Sequence, residues 1–105
     1  MIKIDHTITV PEINGLTNIF PLPPAIETVL AACREEAAIR GCLFFNETNT
    51  DKTQVVATFI WDNQTLADEF LQWADTEHDY SNVYQQYKNL VESYGGTMVK
   101  TITEF

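Results

Sequence analysis

Ile2, Ile4, Ile8 and Val10 alternate with Lys3, Asp5, Thr7 and Thr9, the period-two pattern of a strand with one face turned to a core. His6 stands on the apolar side of that alternation. A second strand is predicted over Cys42 to Thr48, and a third over Thr53 to Trp61, at the start of the stretch Thr53 to Trp73. In the third, Val55, Ala57, Phe59 and Trp61 point one way and Val56, Thr58 and Ile60 the other. Both of its faces are largely apolar, which places it inside a sheet rather than at an edge with one wet face. Thr97 to Phe105 alternates as a final strand.

Between these strands the spacing changes to three and four. Pro24 suits a first helical turn. Ile26, Val29, Leu30, Cys33 and Ala37 then recur on one side, with Gly41 as the C-cap. Thr65 and Asp68 approximate a capping box for a helix carrying Leu66, Phe70 and Trp73. The run Thr76 to Asp79 interrupts that helix, with Asp79 and Ser81 as candidate fresh N-caps. Tyr80, Val83, Tyr84, Tyr87, Leu90, Val91 and Tyr94 follow as an aromatic stripe that ends at Gly95-Gly96. The segment Glu12 to Pro23, with its Asn14-Gly15 turn signal, reads as a long loop of the kind that serves as a lid or holds a brief strand extension.

The order strand, helix, strand, strand, helix, strand predicts one α+β domain over residues 1–105. Its expected fold is ferredoxin-like βαββαβ, a four-stranded antiparallel sheet with two helices on one face. Leu43, Phe45, Val55 to Trp61 and Val99 make both sheet faces apolar, so a sheet-on-sheet homodimer is expected to cover the face the helices leave open.

Composition narrows the partners. The 105 residues carry a net charge of −9 with only six Lys and Arg, and these are scattered. That argues against nucleic acid, where Lys and Arg must neutralise phosphates, and against an anionic membrane surface. No apolar run approaches the ~20 residues of a membrane span, and the N-terminus alternates instead of forming a signal-peptide core. A cytoplasmic location follows as the expectation. Cys33 and Cys42 stand outside any CxxC pattern and read as buried free thiols.

The strand Val55 to Trp61 leading into a helix with Phe70 and Trp73, together with the order of elements along the whole chain, resembles the dimeric α+β barrel superfamily. Within it the chain is most similar to antibiotic-biosynthesis-monooxygenase-type proteins. The resemblance implies a dimer with facing sheets and a pocket between sheet and helices in each subunit. It spans cofactor-free oxygenases, haem-degrading enzymes and isomerases, so it does not select a reaction. The haem-degrading branch uses a first-strand Asn, a helix Trp and a His ten residues later. Here Trp73 matches, but Asp5 or His6 stands at the first position, Val83 at the last, and His78 only five residues beyond Trp73.

No GxGxxG, GxSxG or phosphate-loop pattern occurs, and no cofactor or metal is expected. Asp75, Glu77, His78 and Asp79 crowd ligand types together, but in no zinc or calcium spacing. His6 is the candidate catalytic residue, a titratable imidazole facing the helices; a hydrogen-bonded core histidine is the alternative. Trp61, Trp73 and Tyr84 are candidate walls for an aromatic or hydrophobic ligand, and packing alone is the alternative for each. The leading functional expectation is a small-molecule-binding protein or cofactor-independent monooxygenase acting on an aromatic substrate. The competing one is a non-catalytic protein whose acidic stretch, free of Lys and Arg from Thr53 to Tyr87, binds a basic partner.

Overall fold

A computed structural model of the chain describes residues 1–12 and 15–105. Its elements run β1 (Ile2–Thr9), α1 (Leu16–Ile19), α2 (Pro24–Ile39), β2 (Leu43–Thr48), β3 (Gln54–Trp61), α3 (Gln64–Glu77), α4 (Tyr80–Ser93) and β4 (Thr97–Glu104). The four strands form one sheet in the order β2-β3-β1-β4, and every neighbouring pair is antiparallel. Thus β3 lies between β1 and β2, and β1 lies between β3 and β4. The two crossovers interleave, an arrangement consistent with a ferredoxin-like fold. The doubly apolar β3 is an interior strand, as its pattern requires.

The expectation of two helices needs correction, because the described residues form four. Besides the turn α1, the second predicted helix is split into α3 and α4 at the interruption expected over Thr76 to Asp79, and the break has a local cause. His78 is extended, out of the helical path, and the Asp79 side chain then accepts a hydrogen bond from the Asn82 backbone N–H at 3.1 Å, starting a new helix. The α3 N-cap is Asn63 rather than Thr65, since its Oδ1 accepts from Leu66 N–H at 3.0 Å. The Glu12 to Pro23 segment holds the helical turn α1 rather than a strand extension, with Asn14 of the turn signal outside the described residues.

Both long connections back to the sheet close with the same physics. At the end of α2, Gly41 N–H reaches Ala38 O and Cys42 N–H reaches Ala37 O; at the end of α4, Gly95 N–H reaches Glu92 O and Gly96 N–H reaches Val91 O. These paired bonds are Schellman closures. Gly41 and Gly95 take the left-handed φ of +79° and +76° that the closure demands. Gly96 is required for a different reason, because a Cβ there would lie 2.5 Å from the Thr9 carbonyl oxygen.

Ladder register assigns the faces. Ile2, Ile4, His6 and Ile8 stand opposite Trp61, Phe59, Ala57 and Val55, and this face carries the helices. Its core comes in two parts. Ile8, Val55 and Met98 pack with α1, α2 and α4, whereas Ile2 and Trp61 pack with Cys33 and Ala37 of α2 and Ala67 and Phe70 of α3. The other sheet face mixes polar pairs, such as Thr58 Oγ1 donating to Asp5 at 2.6 Å, with exposed Leu43, Phe45 and Val99. Strand β2 is exposed along most of its length, so its apolar residues are less covered than their pattern alone requires.

Gly96→Ala is expected to lower the unfolding free energy by about 2 kcal/mol, as overpacking against backbone does. Gly41→Ala, with open space but left-handed backbone, should cost about 1 kcal/mol; urea titrations of the two variants compare them.

Candidate functional site

The gap between the two halves of the core falls on one row of residues across the helix-covered face. Register places Asn46, Ala57, His6 and Lys100 side by side on β2, β3, β1 and β4. The rows on either side are bulky and mostly apolar: Phe44, Phe59, Ile4 and Ile102 on one, Thr48, Val55, Ile8 and Met98 on the other. A small residue at Ala57 leaves the floor low beside His6, and three polar side chains in one row prevent the core from closing across it.

A cavity of about 120 Å³ occupies that position, between the sheet, α2 and α4. An apolar cavity of roughly 150 Å³ admits benzene, so the space suits one small ring. Its walls are aromatic, with Phe20, Phe44, Phe59, Phe70, Tyr80, Tyr84 and Tyr87 around His6 and Ala57. Of its lining residues, Phe20, Glu27 and Asn46 are exposed, which puts the mouth between α2 and the β2 edge. Arg34 reaches Glu27 at 2.8 Å and lies 5.6 Å from the centre of the Phe44 ring, bracing that mouth. Phe20 and Leu22 bring the long N-terminal connection into the wall, and Phe20 packs edge-on to Tyr87 at 6.3 Å.

His6 is 8% exposed, and its Nδ1 is buried without a hydrogen-bond partner among the described residues. It therefore does not match a core histidine satisfied by the protein. Phe59 and Tyr84 hold its ring at centroid distances of 5.8 and 5.7 Å. Burial, aided by the nearby positive charge of Lys100 and opposed by Asp5, lowers its pKa to about 4. The imidazole is therefore neutral at pH 7 and retains a lone pair. Burial pushes Tyr80 up to about 12 and Tyr87 higher still, so both keep their phenolic protons. The Cys33 and Cys42 thiols are free and raised to about 11, which leaves them protonated and poor nucleophiles.

The other candidates divide. Tyr84 joins His6 in the main cavity, with Lys100 Nζ 5.1 Å from the centre of its ring. Trp61 is fully buried and lines a second cavity of about 50 Å³ that His6 also borders. Trp73 lines neither cavity; it stacks on Phe70 at 6.2 Å and meets His78 at 4.5 Å. Trp61 and Trp73 are thus not opposing walls of one pocket, because Phe70 is packed against both. Sequence reasoning missed Phe44, Ala57 and Phe59 as wall and floor. Ala57 was the available signal, as the one small residue in the run Val55 to Trp61. No group of His, Cys, Asp or Glu among the described residues is placed to hold a metal ion, and no described helix is long and apolar enough to cross a membrane.

No protein-family model matches the chain, and no curated protein matches it. Among solved structures it is similar to that of Rv0793 from Mycobacterium tuberculosis, at 12% identity and a TM-score of 0.51, over 100% of this chain and 95% of that one. At this identity the likeness shows the fold alone.

The state of His6 sets a pH dependence with a definite sign. Its folded pKa of about 4 lies below the ordinary histidine value of 6.5, so the unfolded chain binds the proton more readily and stability falls as pH drops through that window. Between pH 7 and pH 5 the loss from this group is expected to be about 2 kcal/mol. Urea unfolding of the protein and of His6→Phe at both values isolates it, since the variant should lose that increment.

Proposed function

We propose that the protein binds a small aromatic or hydrophobic molecule in the cavity beside His6. In this reading it is a homodimer of the dimeric α+β barrel type, related to antibiotic-biosynthesis-monooxygenase-like proteins, and acts as a cofactor-independent monooxygenase. The observation that carries the reading is a ring-sized aromatic cavity containing a buried, unpartnered imidazole nitrogen. Small-molecule sites combine a mostly apolar lining with a few placed polar groups, and this cavity has that character.

In the proposed reaction His6 takes a proton from the bound substrate, and dioxygen oxidises the resulting carbanion. A substrate CH₂ becomes C=O and the second oxygen atom leaves as water, so the substrate supplies all the electrons. A base with a pKa of about 4 is weak in the empty site. Negative charge developing on the substrate beside it favours the imidazolium and strengthens it during proton transfer. Tyr84 and the phenylalanines around it orient the ring, while Trp61 lies deeper and Trp73 supports Phe70 from behind.

Leu43, Phe45 and Val99, at 62%, 45% and 54% exposure, support a second copy over the open sheet face. Sedimentation at micromolar concentration should give a dimer, and Phe45→Asp should shift it toward monomer. A protein that sediments as a monomer throughout would contradict the dimer.

Titration with phenol and toluene, followed by ligand-observed NMR, should show saturable binding. Ala57→Leu, which fills the floor of the cavity, is expected to weaken it by at least about tenfold, corresponding to roughly 1.4 kcal/mol. Unchanged binding in a folded Ala57→Leu protein would place the ligand elsewhere.

A further inference from the structure

Two cavities flank His6, and His6, Phe59, Phe70 and Tyr80 border both. The larger lies toward Ile8 and Val55 and the smaller toward Ile4 and Trp61. Trp61 stands opposite Ile2, four residues from His6 along β1, a separation of about 13 Å. Trp61 is 1% exposed and its Nε1 has no hydrogen-bond partner among the described residues. An indole N–H only donates, and leaving it unsatisfied in a buried site costs free energy. Lys100 borders the same smaller cavity. It makes no ion pair among the described residues, and its ammonium lies 5.1 Å from the centre of the Tyr84 ring. Asp5 lies across the sheet and is engaged instead by Thr58 and Lys3.

We propose that the two cavities are chambers of one elongated site with His6 at the neck, and that its ligand is an aryl-substituted carboxylic acid. The ring occupies the larger chamber, and the carboxylate enters the smaller one to accept from Trp61 Nε1–H with Lys100 at the rim. This rests on the proposed function and specifies the ligand of that same site. The charge of the whole protein opposes anions, so the preference for a carboxylate is local. It comes from one buried donor with nothing else to meet and one cation with no carboxylate of its own. The smaller chamber, at about 50 Å³, has room for a carboxylate but not for a second ring.

The test compares 3-phenylpropionate with propylbenzene, the hydrocarbon with the same ring and a three-carbon chain, by calorimetry and by the indole N–H signals in a ¹⁵N-labelled NMR spectrum. Trp61→Phe assigns the Trp61 signal. The carboxylate should bind about tenfold tighter than the hydrocarbon, the scale of a hydrogen bond to a charged group, and should move the Trp61 indole N–H resonance downfield. In a folded Trp61→Phe protein most of the tenfold preference should vanish, and Lys100→Met should reduce it in part, with propylbenzene measured in each variant as the reference for ring binding. Equal affinity for the two compounds with an unmoved Trp61 signal would overturn the inference and leave the aromatic site standing. Failure of both compounds to bind would overturn the inference and the proposed function together.

Discussion

The site depends on a single pairing, His6 opposite Ala57 in the ladder between β1 and β3. That register puts an imidazole and a methyl group where the neighbouring rows have Ile4 beside Phe59 and Ile8 beside Val55. A buried histidine is costly to ionise and costly to leave unbonded. The core accommodates it by dividing into two clusters, one toward each end of the sheet. The cavity is the space left at the division. A one-residue slip of β1 would turn His6 to the open face and bring Asp5 or Thr7 beneath the helices, so the apolar pairs on either side also hold the site in place.

The helices complete what the register begins. Separate α3 and α4 segments, divided by the Asp79 cap, let Phe70 approach from one direction and Tyr80, Tyr84 and Tyr87 from another. A continuous helix would present those side chains in one stripe. The connection before α2 contributes Phe20 and Leu22, which makes the cavity's enclosure depend on a segment outside the regular crossovers. Arg34 braces the mouth through Glu27 and Phe44, using one of few cations in a strongly acidic chain.

Much of this was legible in the sequence. Period-two alternation located β1, β3 and β4, and the doubly apolar faces of β3 placed it in the sheet interior. His6 could be assigned to the covered face because Ile2, Ile4 and Ile8 share its parity. The break between α3 and α4 with its Asp79 cap was legible too, whereas the helical turn α1 was not, since its four residues lie among turn and proline signals. Nor was the separation of Trp61 from Trp73 legible. Both fit an aromatic wall by spacing, but only the position of Phe70 between them shows that they face different surroundings. Ala57 was overlooked because a small residue in an apolar strand draws attention only when its cross-strand partner is known.

A pH titration of the His6 imidazole by NMR, without and with saturating phenol, is the most direct test of whether this row is a ligand site. The account predicts a midpoint of about 4 in the free protein and a displaced midpoint when the ring-sized ligand sits beside it. A midpoint at the ordinary histidine value of 6.5 that phenol leaves unchanged would mean that His6 is solvated and that no ligand shares its cavity.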